Sequence, residues 1–156
     1  LTNKPLHQKS FMKNSTRPRA CAAIIRDGKI LMVRHQNNGR SYWTLPGGGI
    51  MEGESLEQAV VREVLEETNL DVNVVRFLFE EPYEYGVSYC FLAFVDSEAE
   101  ATLGSDPEEK DVDYHLSMLQ EVDWRPLESM KNDQQVSKVI ASLALRITNG
   151  KHEQKD

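Results

Sequence analysis

Three glutamates and one arginine, spaced at helical intervals, are the residues of this sequence best suited to carry chemistry. Glu63, Glu66 and Glu67 stand at positions i, i+3 and i+4, so on a helix their Cβ atoms lie close together on one face. Neighbouring carboxylates repel each other and cost stability unless a cation lies among them. Arg62 adds one positive charge beside them. The spacing predicts a cation site, and such a site suits metal-mediated handling of phosphate groups.

A helix that begins after Ser55 must position this cluster. Ser55 and Gln58 fit a capping box, and Glu57 lies in the first turn, where the helix dipole favours negative charge. Asn69, a residue type that tolerates the left-handed conformation, falls where the helix should end. An apolar stripe should bury this helix and fix where its acids point; it consists of Val60, Val61, Val64 and Leu65.

The glycines Gly47–Gly49 precede this helix and are predicted to form a turn. Trp43–Pro46 is interpreted as a short strand that runs into them. Glycines allow the backbone to approach a ligand or a metal closely. The segment lacks the lysine and the Ser/Thr of a phosphate-binding P-loop, and it does not fit the dinucleotide-binding fingerprint.

The spacing of Gly48, Glu54 and the run Arg62–Leu70 resembles the signature of the Nudix hydrolases. These enzymes cleave the pyrophosphate of a nucleoside diphosphate that is linked to another group. The resemblance implies an α/β fold, an α/β/α sandwich around a mixed β-sheet. One position departs from the family, because Asn69 stands where glycine is usual. Asparagine is the next best residue at a helix end, so the departure does not affect the chemistry.

The resemblance also implies the ligands of a divalent metal ion. Glu63 and Glu67 are the first choices and Glu66 is the third, and one backbone carbonyl from the glycine segment, that of Gly47, joins them. Mg²⁺ suits such an all-oxygen site, with Mn²⁺ as a substitute.

Further residues are assigned roles in hydrolysis. Arg62 is expected to orient the glutamates through charge-assisted bonds. The general base is either Glu54 or an acid from the long acidic loop 96–114. In some Nudix enzymes such a loop supplies an additional carboxylate, as a metal ligand or as the general base. Spacing does not choose among the loop candidates, which are Glu108, Glu109, Asp111 and Asp113.

Three residues outside the signature are candidates for binding the substrate. Arg34, at the end of a predicted strand, and Arg40, in the following loop, could each meet a phosphate, although each alone would more often be a solvated cation. Tyr85 lies fifteen residues past the signature (85 − 70 = 15). In the family a tyrosine near this position is associated with dinucleoside polyphosphates more than with ADP-ribose.

Two other functions are kept as alternatives. Some Nudix-like domains sense nucleotides without cleaving them, although loss of Glu63 or Glu67 would be expected in such a domain, and both are present. The acid-rich helix could also be the solvated face of a plain interaction domain. That alternative predicts no metal-dependent thermal shift.

The composition fits one domain that acts on small molecules. The 156 residues carry a formal net charge of −7, which argues against general nucleic-acid binding. Residues 17–150 are interpreted as the domain, residues 1–16 as an N-terminal extension, flexible or loosely docked, and residues 151–156 as a charged tail. No apolar run reaches the length of a membrane span. We therefore predict a cytoplasmic protein with a small nucleotide substrate and no nucleic-acid or membrane partner. A homodimer is left open as an oligomeric state.

Alternating and apolar runs predict the rest of the fold. Asp27-Gly28 is a hairpin signal, and the flanking runs should form two strands over 19–26 and 29–35, followed by a loop over 36–42. Two further strands are expected over 71–81 and 87–95, with a short strand near Trp124. Near-helical apolar spacing predicts a final helix over 133–147 that covers the sheet.

Overall fold

The computed structural model describes residues 17–105 and 118–152, with side chains described as far as residue 145. In this part of the chain the strands are β1 (Arg19–Arg26), β2 (Lys29–Asn37), β3 (Arg40–Thr44), β4 (Gly47–Gly49), β5 (Asn73–Tyr83), β6 (Gly86–Phe94) and β7 (Met118–Pro126). The helices are α1 (Leu56–Thr68), a 3₁₀ helix (Leu127–Met130) and α2 (Gln134–His152). The predicted extension over 1–16, the four loop acids and residues 153–156 lie outside the described residues.

Two tight hairpins connect the first three strands. The predicted hairpin at Asp27 and Gly28 is confirmed, with φ angles of 52° and 73°. The predicted loop over 36–42 is wrong, because Asn38 and Gly39 form a second hairpin with φ angles of 50° and 77°. An Asn-Gly pair accommodates two successive positive φ angles, as a type I′ turn requires. The strands β2 and β3 therefore extend to within one residue of this pair on either side.

The sheet is mixed, as predicted. Its main path runs β3-β2-β1-β6-β5, while β4 pairs with β1 and β7 pairs with β2. The strands β1 and β6 run parallel, and the other pairs are antiparallel. The chain reaches β6 through α1 and β5, so the crossover places α1 across one face of the sheet.

Two helices cover opposite faces of this sheet, which confirms the predicted α/β/α sandwich. Val60 and Val64 of α1 are fully buried against one face, and Val136 and Val139 of α2 against the other. The prediction that Leu65 joins the buried stripe is wrong, since its side chain is 47% exposed. Ala59, with a smaller side chain, lies buried in that layer instead.

No helix in residues 17–105 and 118–152 is long and apolar enough to span a membrane.

Candidate active site

The helix α1 begins and ends as its sequence predicts. Ser55 accepts a hydrogen bond from the backbone N–H of Gln58, and the Gln58 side chain accepts one from Ser55 N, so the capping box is complete. Asn69 ends the helix in the left-handed conformation, with φ 57°. Its side chain does more than permit that conformation, because Nδ2 donates to Thr102 Oγ1 at 2.8 Å. The predicted cap is confirmed, and it also holds the loop after β6.

The glycine segment is a strand, which corrects the predicted turn. Gly47–Gly49 form β4 and pair with the first residues of β1. A Cβ atom on Gly47 would lie 2.3 Å from the carbonyl oxygen of Ala20, and one on Gly48 would lie 2.5 Å from the Glu63 carboxylate. The glycines are therefore required by close packing on both sides. They bring this strand against the acids of α1.

Arg62 is the centre of an ion-pair network. Its Nε and Nη2 atoms donate to both oxygens of Glu54, at 2.7 and 2.9 Å. Its Nη1 donates to Glu63 at 2.9 Å and to Glu66 at 3.3 Å, and Nη2 also donates to the carbonyl of Gly49 at 2.8 Å. The guanidinium thus fixes acids from α1 and from the preceding loop against the glycine strand, which is the geometry that an orienting role requires.

Glu54 is held as an ionised carboxylate by this network. The hydrogen bonds from Arg62 lower the pKa of Glu54 below its usual range, and the backbone N–H of Met51 donates to the same carboxylate. A lowered pKa makes a carboxylate a weaker base. This arrangement favours Glu54 as the partner that positions Arg62, while its role as general base stays a prediction.

Glu63 and Glu67 are buried acids one helical turn apart. Their exposed fractions are 2% and 1%. Burial raises the pKa of Glu63 to about 8; the bond from Arg62 opposes this rise, and repulsion from Glu67 adds to it. Glu67 accepts a hydrogen bond from Gly47 N at 2.7 Å, and its other oxygen lies 3.1 Å from His35 Nε2. A buried carboxylate with a raised pKa is one that a cation would stabilise.

A cavity of about 250 Å³ opens beside the glycine strand. Side chains from six elements line it, namely Arg19 of β1, His35 of β2, Tyr42 of β3, Glu81 and Tyr83 of β5, Ser88 of β6 and Gln135 of α2. These residues come from widely separated parts of the chain, and no local motif marks most of them. The cavity gives a ligand room next to the clustered acids.

The family model described as NUDIX domain matches residues 16–143. The chain belongs to the Nudix family.

Relatives and solved structures agree with the Nudix assignment. The chain is 36% identical over 107 residues to the NAD-capped RNA hydrolase NudC of Edwardsiella ictaluri (strain 93-146), which covers 69% of this chain and 38% of NudC. The chain thus spans little more than a third of that relative's length.

The solution structure of the E. coli ORF135 protein superposes with a TM-score of 0.60 at 21% identity, covering 85% of this chain and 91% of that protein. An ADP-ribose pyrophosphatase from Streptococcus suis 89-1591 gives a TM-score of 0.55 at 24% identity, covering 73% and 76%. These two similarities show the shared fold.

The Nudix helix offers an all-oxygen donor set suited to a hard divalent cation. Glu63 and Glu67 lie against the glycine strand, with Glu66 on the same helix. Carboxylate and carbonyl oxygens are the ligands that Mg²⁺ prefers. Within the described residues, no three Asp, Glu, His or Cys side chains have their donor atoms gathered around one point. The oxygens are instead bonded to Arg62, to Gly47 N and to His35. The donor chemistry fits a metal ion, and the carboxylates would exchange these partners on binding it.

Three predicted substrate residues lie away from the cavity. Arg34 pairs with Glu121 at 3.0 Å on the neighbouring strand β7. Arg40 is exposed at the start of β3, and Tyr85 is 55% exposed in the turn between β5 and β6. None of the three lines the cavity. Their part in substrate binding stays a prediction.

The loop after β6 closes the end of the Nudix helix. The backbone N–H of Gly104 donates to the carbonyl of Glu67 at 2.9 Å, and that of Ser105 donates to the carbonyl of Glu66 at 2.9 Å. The last carbonyls of a helix have no partners within the helix, so this loop supplies them. The loop thereby fixes the backbone that carries two of the clustered acids.

We expect Gly104→Ala to release this loop. The added Cβ would lie 1.8 Å from the carbonyl oxygen of Glu66, which is backbone and has little room to move. The free energy of unfolding should fall by about 1–3 kcal/mol, as for other overpacked sites. Thermal unfolding measures the loss, and Ser105→Ala, which keeps the backbone N–H, is the matched control. Equal melting temperatures for Gly104→Ala and wild type would contradict the docked loop.

Proposed function

We propose that this chain is a pyrophosphohydrolase that depends on a divalent metal ion and cleaves the phosphoanhydride of a nucleoside diphosphate linked to another group. One observation carries the proposal: two nearly fully buried acids, Glu63 and Glu67, face a glycine strand at the edge of a cavity. Buried carboxylates are costly unless they are paired or bind metal. Membership of the Nudix family supports the same reaction class.

Glu63 and Glu67 are the proposed metal ligands, with Glu66 as the third and the Gly47 carbonyl beside them. Mg²⁺ is the proposed ion, and Mn²⁺ is expected to replace it. When bound, such an ion neutralises charge on the phosphate oxygens and makes water easier to deprotonate. Arg62 is proposed to hold the glutamates in place, because it bonds Glu63 and Glu66 at once.

The cavity is the proposed site of the nucleoside part of the substrate. Arg19 lines it, and its Nη2 lies 3.4 Å from the carbonyl oxygen of Gly47. A guanidinium at this point would bind a phosphate oxygen next to the acids. Tyr42 and Tyr83 line the same cavity, and aromatic side chains suit the binding of a planar base. The cytoplasmic location and a homodimer remain predictions.

Removal of divalent metal is expected to abolish hydrolysis, since only a cation can neutralise both the buried acids and the developing phosphate charge. The test uses a panel of nucleoside triphosphates, dinucleoside polyphosphates, ADP-ribose and NADH, with products identified after chelation and again after Mg²⁺ is restored. Activity should vanish with chelation and return with Mg²⁺. Full activity of the chelated protein would refute the metal-dependent mechanism. A thermal shift on adding Mg²⁺ without any hydrolysis would favour nucleotide sensing.

A second candidate substrate is RNA that carries a nucleotide cap. It is favoured by the 36% identity to a protein named NAD-capped RNA hydrolase. A cap is itself a nucleoside diphosphate linked to another group, so the same acids would serve. The net charge of −7 opposes binding of a long RNA backbone. Cleavage of NAD-capped RNA at a much higher kcat/KM than free NADH would establish this candidate.

A further inference from the structure

One carboxylate that lines the cavity is only partly engaged. Glu81 of β5 is 8% exposed and lines the cavity. One of its oxygens, Oε2, pairs with Lys138 Nζ at 2.6 Å. Within residues 17–105 and 118–145, the other oxygen of Glu81 has no hydrogen-bond partner. Every fully buried side-chain oxygen or nitrogen in those residues does have a partner, so this oxygen is not fully buried. The second oxygen of Glu81 is therefore accessible from the cavity.

An amide with the opposite hydrogen-bonding character lines the same cavity. Gln135 lies in the first turn of α2, one helical turn before Lys138. Its Oε1 accepts hydrogen bonds from Leu45 N at 3.0 Å and from Thr44 Oγ1 at 2.9 Å. A backbone N–H can only donate, so the amide oxygen is fixed on that side. Within residues 17–105 and 118–145 no hydrogen bond engages the amide nitrogen, so its N–H groups are open to a ligand.

We propose, on the basis of the function proposed above, that Glu81 and Gln135 together recognise the edge of the substrate's nucleobase. Glu81 accepts a hydrogen bond from an N–H of the base, and Gln135 donates one to an adjacent carbonyl oxygen or ring nitrogen. The ligand class is a nucleoside diphosphate derivative whose base carries an N–H donor beside an acceptor. These two side chains act on binding, because the acids of α1 carry the proposed chemistry.

The alternative is a purely structural ion pair between β5 and α2. Substitution in such a pair would change KM equally for substrates with and without a base. A recognising carboxylate differs, since a buried polar site rejects a ligand that leaves its groups unpaired. The two roles therefore separate when a substrate with a base is compared with the same compound lacking it.

The test measures KM and kcat for wild type, Glu81→Gln and Gln135→Glu. The base-containing probe is whichever of the nucleoside triphosphates, dinucleoside polyphosphates, ADP-ribose and NADH the wild type cleaves with the highest kcat/KM. The base-free probe is the same compound with hydrogen in place of the base. Both substitutions keep side-chain shape: glutamine at 81 can still bond Lys138, and glutamate at 135 can still accept from Leu45 N. Glu80→Gln, at the exposed neighbouring position of β5, is the matched control.

We expect each substitution in the cavity to raise KM for the base-containing probe at least tenfold, with kcat within about twofold of wild type. KM for the base-free probe should stay within about twofold, and Glu80→Gln should leave both probes unchanged. Unchanged KM for the base-containing probe in both cavity variants overturns the inference, as does an equal change for both probes. Inactivity of the wild type on every probe overturns the proposed function and this inference with it. Active wild type with insensitive variants overturns the inference alone.

Discussion

Glu63→Gln is expected to lower turnover at saturating Mg²⁺ by at least about a hundredfold, because it removes a proposed ligand of the charge-neutralising ion. The same substitution should make the metal-free protein more stable, by at least a few tenths of a kcal/mol. Glu63 is 2% exposed and lies beside two other acids of α1, so removal of its charge relieves both desolvation and repulsion. Opposite signs for activity and stability are typical of a functional site.

The stability gain should depend on pH. The pKa of Glu63 is about 8 in the folded protein, against an ordinary value of 4.5. Between these two values the unfolded chain has lost this proton while the folded protein retains it. Wild-type stability therefore falls through this window as pH rises, and Glu63→Gln removes that fall. The stability difference in favour of the variant should be absent below pH 4.5 and grow towards pH 8.

Melting temperatures of metal-free wild type and variant across this pH range, together with turnover, test the prediction. Glu57→Gln is the matched control, since Glu57 lies on the same helix but in its exposed first turn. It should cost a few tenths of a kcal/mol through the helix dipole and leave turnover nearly unchanged. Near-normal turnover of Glu63→Gln, or its failure to fold without metal, would remove Glu63 from the site.

The fold was predictable where the signals are local. The capping box at Ser55, the left-handed end at Asn69 and the hairpin at Asp27-Gly28 each depend on a few neighbouring residues, and all are confirmed. The second hairpin, at Asn38-Gly39, was missed although it carries the same type of signal. The polar residues around it suggested a loop. The strand β3 is largely exposed, so its residues can be polar and do not show the alternation of apolar and polar residues that marks a half-buried strand.

The site was predictable only along one helix. Spacing brings Glu63, Glu66 and Glu67 together because α1 is regular, and the contacts of Arg62 with Glu63 and Glu66 follow from the same helix. Arg19, Glu81 and Gln135 meet in one cavity because β1, β5 and α2 are placed together by the sheet order and by the packing of α2 against one face. Sequence distance carries no information about that arrangement.

The glycine strand is a second case in which local sequence did not predict the structure. Three consecutive glycines indicated a turn, whereas Gly47–Gly49 pair regularly with β1. They are glycines because two different neighbours approach too closely for a side chain. At Gly47 the neighbour is the backbone of β1, and at Gly48 it is the carboxylate of Glu63. Glycine at 47 is therefore required by the packing of the sheet, and glycine at 48 is required by the position of a proposed metal ligand.

Gly48→Ala is expected to fold and to lose activity. The added Cβ would lie 2.5 Å from the Glu63 carboxylate, the far end of a flexible side chain that can turn away. The free energy of unfolding should therefore change by no more than about 1 kcal/mol. The displaced carboxylate leaves its place as a proposed metal ligand, so turnover at saturating Mg²⁺ should fall by at least about tenfold. The apparent affinity for Mg²⁺ should fall as well.

Gly47→Ala is the matched comparison and should fail in the opposite way. Its Cβ would lie 2.3 Å from the Ala20 carbonyl oxygen and 2.6 Å from Cys21 Cα, and neither can move without disturbing the pairing of β1 with β4. The free energy of unfolding should fall by about 1–3 kcal/mol or more, as in overpacked cores. Melting temperature and the Mg²⁺ dependence of turnover, measured on both variants, decide between the two roles. If Gly48→Ala loses stability as Gly47→Ala does and keeps its Mg²⁺ dependence, the glycine at 48 serves packing alone. If Gly48 serves the site through its contact with Glu63, Gly48→Ala should fold like wild type, bind Mg²⁺ more weakly and have a lower turnover.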